Sequence, residues 1–240
     1  MTHVPILRRS HEARRTVRRL LRHHLVLGVA SGSLIAVIAV ALPPEPLAWR
    51  LSMATAYASL FLLALTLMLG PLNVLRGRRN PVSTDLRRDV GIWAAIVGLA
   101  HVVAGSQVHL AGKVWRYFLE PWGGTGPWVP RVDLFGFAND TGLLATLVLI
   151  LLLALSNDRA LRVFGRRRWK TLQRSNYVLF GLVVVHGLAY QRAEFRAGAY
   201  VLILGALAVG VVAIQLAGLR RRTRRSRLPS PAPGPRRTGG

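Results

Sequence analysis

Apolar side chains fall in six long runs along this chain, near 25–42, 51–70, 89–108, 138–156, 175–191 and 199–218, separated by polar and basic segments. At 1.5 Å of rise per residue, each run makes a helix of the length that a roughly 30 Å hydrocarbon core demands. Backbone groups in hydrocarbon have no water to bond, so a crossing segment must close its hydrogen bonds internally, as a helix does. The pattern predicts an all-α fold: an integral membrane bundle of six transmembrane helices over 25–218. A basic tail precedes it over 1–24, and a basic, Pro-rich, disordered tail follows over 219–240. No internal repeat is visible, and no soluble domain of any size.

Charge adds an orientation. The formal net charge is +24, from 33 Lys and Arg against nine Asp and Glu. In a soluble protein that balance would point to nucleic acid. Here the charge sits between apolar runs that a soluble reader does not need, so nucleic acid is excluded as a partner. The segments 1–24, 71–88, 157–174 and the tail from Arg220 hold 27 of the 33 basic residues. The alternate segments hold only Arg50, Lys113, Arg116, Arg131, Arg192 and Arg196. Basic loops stay on the cytoplasmic side, which places both termini there, in a multi-pass protein of the inner (plasma) membrane. Ala39-Val40-Ala41 resembles a signal-peptidase site, but the run before it, about 18 residues, exceeds the roughly 7–15 of a signal peptide. The first run is expected to be an uncleaved helix.

Two connections stand out. The outer one, 107–137, carries Trp115, Tyr117, Trp122 and Trp128, residues that favour the lipid headgroup level. Its piece "EPWGGTGPW" (120–128) is rich in turn formers and is expected to be irregular. The inner loop 157–174, with Arg166, Arg167, Arg168, Trp169 and Lys170, offers a surface either for an acidic partner or for anionic membrane lipid.

Candidate chemistry is confined to histidine. The chain has no cysteine, which removes disulfides, iron–sulfur clusters and thiolate sites. No phosphate-binding loop, zinc motif, proton-relay carboxylate pair or Ser/His/Asp arrangement is present, and no nicotinamide or flavin domain. His101 and His186, however, sit inside apolar runs, where an ionisable residue marks a functional-site candidate. Each lies about 18–20 Å from the cytoplasmic end of its helix, and both helices run outward, so the imidazoles reach one depth. A haem iron takes two axial histidines, and a flat, apolar porphyrin fits between helices. Ala94, Gly98 and Gly105 keep the His101 face small, which suits a macrocycle and equally suits close helix packing. The other reading of the pair is a helix–helix hydrogen bond in a non-haem assembly subunit. His109, about 12 Å beyond His101, is placed to meet a haem propionate or an acceptor, or to serve as an interfacial polar residue. His3, His11, His23 and His24 belong to the basic tail and are expected to be solvated.

The stretches "DLRRDVGIWAAIVGLAHVVAG" (85–105) and "LALSNDRALRVFGRRRWKTLQRSNYVLFGLVVVHGLAYQ" (153–191) resemble the ferric reductase-like transmembrane domain superfamily. That group includes ferric reductases, the membrane part of NADPH oxidases and the haem-binding subunit of methionine sulfoxide reductase systems. The resemblance implies an oxidoreductase membrane component with haem b between the third and fifth helices, passing electrons to an outer-side acceptor protein or small molecule. Its two-haem members carry two histidines on each of those helices. Here Gln173 and Arg87 stand near the inner positions, so the resemblance implies one haem per chain, held by His101 and His186 as metal ligands. The donor must be separate: a quinol in the membrane, or FMN or FAD on a cytoplasmic partner.

Overall fold

The computed structural model describes residues 17, 20–77, 84–196 and 198–226. His3, His11 and the tail 227–240 lie outside them. The fold is all-α, apart from one small hairpin. A π-helical turn, Leu20–Leu25, leads into α1 (Val26–Ala41), followed by α2 (Leu47–Leu75), α3 (Thr84–Gly105), α4 (Leu134–Ala154), α5 (Asp158–Leu172), α6 (Ser175–Ala193) and α7 (Gly198–Ser226). Five of the helices (α1 with its leading residues, α2, α3, α4 and α7) are long and apolar enough to cross a membrane. α6, the fifth run of the sequence, has 19 residues but is diluted by Asn176, His186, Gln191 and Arg192.

Two tight helix pairs organise the bundle. α2 packs along α3, and α4 along α6; α7 covers α2, and α1 lies on the outside of α2 and α3. The core runs through Leu60, Leu63, Leu67, Val90, Val97 and Leu179, all buried. The outward faces are apolar too: Val37, Val40, Leu202 and Val209 are 66–78% exposed. In water that surface would drive association, whereas hydrocarbon accepts it.

Side-chain contacts gather the connections at two ends. At one, Arg196 lies over the Trp49 ring at the start of α2, and His109 after α3 meets Glu194 after α6. At the other, His23 before α1 bonds Asp89 of α3, Arg88 bonds Asp158 of α5, and Arg221 of α7 bonds the Leu75 carbonyl of α2. α1, α2, α3, α4, α6 and α7 thus run alternately between a hairpin end and an Arg-rich end.

Three local features differ from the sequence expectation. The segment 157–174 is not a loop but contains α5, whose Asn157 caps the helix by accepting from the Ala160 N–H at 2.8 Å. α5 kinks at Gly165, whose φ of 69° is the left-handed region glycine tolerates. Within 120–128, Leu119–Pro121 pairs antiparallel with Trp128–Pro130, so the turn formers close a hairpin instead of an irregular loop. Finally, α7 continues to Ser226, past the boundary at 218, because Arg is a good helix former.

Candidate functional site

α3 and α6 face each other across a cavity of about 320 Å³. Each is held chiefly by its own neighbour, α2 or α4. Small residues make the space: Ala56 and Ser59 on α2, Ala94 and Gly98 on α3, Gly142 and Ala145 on α4. The size falls within the range of small-molecule and cofactor sites, and the lining is largely apolar, as such sites are.

The structure brings His101 and His186 together in this cavity, with ring centroids 6.2 Å apart and planes crossed at 73°. Both rings are oriented by backbone carbonyls. His101 Nδ1 lies 2.9 Å from the Ser52 carbonyl, and His186 Nδ1 lies 2.8 Å from the Ala138 carbonyl. A carbonyl only accepts, so each Nδ1 carries a proton, and in the neutral imidazole Nε2 is then the lone-pair nitrogen. Among the described residues no hydrogen bond is made by either Nε2. This is the outer-shell arrangement that fixes tautomer and ring direction in a metal-ligating histidine.

The spacing can be tested against one metal ion. An imidazole centroid lies about 1.2 Å from its nitrogen and a first-row metal–imidazole bond is about 2.0–2.1 Å, so rings on opposite sides of one ion would have centroids roughly 6.5 Å apart. The observed 6.2 Å is within a few tenths of an ångström of that. Among the described residues no group of three or more His, Cys, Asp or Glu is placed to hold a metal. An ion here would need an equatorial ligand set of its own, which a porphyrin brings.

Gly98 and Gly105 both line the cavity. Gly98 is also a point of close packing: a Cβ there would stand 3.0 Å from Leu149 Cδ2 and Ser59 Oγ. At Gly105 the nearest atom would be Ser52 Oγ at 3.4 Å, ordinary contact. His109 lines the hairpin end of the cavity, and its Nε2 is 3.1 Å from Glu194 Oε1. Gln173 and Arg87 do not line it. No protein-family model matches the chain, and no solved structure matches it.

Several residues were not found from sequence. Gly142 is the closest to the chemistry: a Cβ there would lie 2.7 Å from His186 Cε1 and Nδ1, so its absence makes the seat for that ring. Asn139, buried in α4, accepts from the Tyr190 hydroxyl at 2.6 Å and donates to the Tyr117 and Phe135 carbonyls. The available signal was the polar cluster Asn139, Asp140 and Thr141 at the start of an apolar run. Tyr117 is buried, and its hydroxyl sits among the Gly105, Ser106 and His109 carbonyls where α3 ends and accepts from the His109 N–H. Burial pushes the Tyr117 phenol up from its ordinary value, which keeps it a donor. Ring contacts continue from His186 to Tyr190 (5.0 Å), Phe135 (5.7 Å) and Tyr117 (5.8 Å), toward the hairpin end.

At the Arg-rich end, the expectation that His23 and His24 are simply solvated is corrected. Both are about two-thirds buried and converge on Asp89, which is fully buried: His23 Nδ1 is 2.7 Å from Oδ2 and His24 Nε2 is 3.5 Å from Oδ1. A buried carboxylate needs such partners, and the π-helical turn Leu20–Leu25 supplies them.

Proposed function

We propose that this chain is a haem b membrane protein that transfers electrons, and that His101 and His186 would hold the iron of one haem. The observation that carries the reading is the pair itself: two carbonyl-oriented rings, 6.2 Å apart, in an apolar cavity between helices. Bound there, the haem supplies one-electron redox chemistry. The residues of the chain do the rest. Ser52 and Ala138 hold the rings in place, the small residues leave room for a flat ligand, and the apolar lining keeps water away.

The reading extends to topology and partners. All six end-to-end helices cross the bilayer, α6 included, because its polar residues serve the cavity and the two ends. The Arg-rich end is cytoplasmic and both termini lie there, in the inner (plasma) membrane. Electrons enter from a separate donor, a quinol or a flavoprotein docked near α5, and leave at the hairpin end, to which the ring series from His186 leads. The family resemblance in spans three to five supports the same assignment.

A second reading has an observation of its own. The bonds to Ser52 and Ala138 tie α3 to α2 and α6 to α4, as helix-linking histidines in a non-haem assembly subunit would. The optical spectrum of purified protein separates the two. Under the haem reading His101→Ala and His186→Ala each abolish or strongly alter a low-spin haem spectrum, and the double variant is little worse than either single one, because the pair acts as a unit. Unaltered spectra at full occupancy in both single variants would overturn the assignment. Under the linking reading there is no such spectrum, and each variant loses only about 0.6 kcal/mol of stability.

A further inference from the structure

The cavity is not uniform along its length. Its deep part is largely apolar: besides the two imidazoles it has the Ser59 and Thr146 hydroxyls, each already donating to a helix carbonyl. Its neck, at the hairpin end, holds a cation. Arg196, between α6 and α7, lines the neck with its side chain only 12% exposed. Its contacts are poor for a guanidinium. Nη1 is directed at the Met53 sulfur at 2.9 Å, and a thioether is a weak acceptor. The plane sits over the Trp49 ring at 5.4 Å. The nearest carboxylate, Glu194 Oε2, is 3.7 Å from Nη2, beyond hydrogen-bond length. The other Glu194 oxygen faces His109. Five donors thus meet no oxygen acceptor among the described residues, in a neck that has no Asp or Glu in its lining. The Glu194 carboxylate offsets part of the charge as an ion pair, but a largely buried guanidinium whose donors bond no oxygen still has capacity for an incoming anion.

A second group at the neck has unused capacity. Gln191 is 7% exposed; its Oε1 has no partner, and its Nε2 has only the Tyr57 hydroxyl at 3.4 Å. Oxygen and nitrogen of an amide are interchangeable by a flip, so this side chain can present its NH2 to an anion beside the guanidinium.

We infer that Arg196, with Gln191, is a carboxylate seat at the neck of the cavity. It receives a propionate of the porphyrin and so fixes which edge of the ring faces the hairpin end. The inference rests on the haem reading above. Arginine takes a carboxylate through two parallel N–H bonds, which adds direction as well as affinity. The cavity then matches an amphiphile: a flat apolar body with metal-binding groups at its centre and carboxylates on one edge. His109, the residue the sequence offered for this role, is already engaged by Glu194.

The test uses the full chain in nanodiscs, stripped and then titrated with iron protoporphyrin IX or with its dimethyl ester, which keeps the ring and metal but removes both carboxylates. Wild type should bind the free acid about tenfold or more tighter than the ester, the worth of one charge-assisted hydrogen bond. Arg196→Gln should lose most of that preference, keep the low-spin bis-histidine spectrum with either porphyrin, and lower the midpoint potential of the acid form. Arg196→Lys should recover part of both. Equal affinity of wild type for acid and ester overturns the seat without any substitution. So does an Arg196→Gln protein with unchanged preference and potential. If wild type takes up neither porphyrin with a bis-histidine spectrum, the haem reading itself has failed, a result distinct from either of these.

Discussion

At Gly142 a methyl group would stand 2.7 Å from two atoms of the His186 ring, on which that residue's bond to Ala138 depends. Gly142→Ala should therefore displace the ring and act like a lesion of His186, weakening or abolishing the haem spectrum while helical content is kept. Gly105→Ala, whose nearest contact is 3.4 Å, should be nearly silent, and Gly98→Ala, at 3.0 Å from Leu149 and Ser59, should fall between them. The cost of such overpacking is about 1–3 kcal/mol at Gly142 and Gly98. Spectra and thermal unfolding of the three variants check the order; a Gly105 variant as damaged as the Gly142 variant would contradict it. The same comparison shows what could be read beforehand. Gly98 and Gly105 share a helix with His101, so 3.6-residue periodicity put them beside it. Gly142 faces His186 from another helix, and no periodicity within α6 reports what lies across the gap. Asp89 was hidden for the same reason, since its imidazole partners come from before α1.

Helix ends were legible to within a few residues, and the misses have local causes. The second apolar run ends at 70, yet α2 continues through Pro71 to Leu75. A proline has no N–H to give the carbonyl four residues back, which is Leu67, and Gln215 on α7 supplies the missing donor at 2.9 Å. Gln215→Leu should cost about 1 kcal/mol, between the mean for hydrogen bonds in membrane helices and the penalty for an unmet buried acceptor. In a Pro71→Ala background the cost should nearly vanish, because residue 71 then regains its N–H. Unfolding free energies of the four proteins in this cycle measure that coupling, and equal costs in both backgrounds would refute it. At the start of α4, Asp133 accepts from Arg131 at 2.7 Å and from the Gly136 N–H at 2.7 Å. The Arg131 bond, ahead of the capping bond, holds its carboxyl below the ordinary carboxylate range. A depressed folded-state value means the contribution is present above the unfolded value, about pH 4, and is lost as pH falls through the folded one. The side chain is 44% exposed, so screening limits the pair to roughly 0.5 kcal/mol. The protection factor for hydrogen exchange in the first turn of α4, taken against the intrinsic rate at each pH, should fall on acidification below about pH 4, and Asp133→Asn should remove that dependence.

On the scale of the whole chain, the count of crossings decides where every other site lies. Apolar length alone supports five of the helices, and an odd number would put the two termini on opposite sides. The structure adds what hydropathy cannot weigh: α6 runs from Arg174 at the Arg-rich end to Glu194 at the hairpin end, packed along α4 for its length. Its polar residues lie at the cavity and the helix ends, with His186 turned into the cavity, Gln191 at the neck, Asn176 in the first turn and Arg192 exposed in the last. Under the proposed topology α6 crosses the bilayer beside α4 and α7. Under that proposal, six crossings put both termini on the side that also receives 27 of the 33 basic residues, the side such residues favour. Reporter fusions after Gly240 and within 120–128 should accordingly give opposite signals, cytoplasmic for the first and external for the second. A third fusion within α5, after Arg167, should match the first. If α6 failed to cross, the Gly240 fusion would report the external side while the α5 fusion stayed cytoplasmic. His186 would then lie outside the layer that holds His101, and the haem assignment would fall with it.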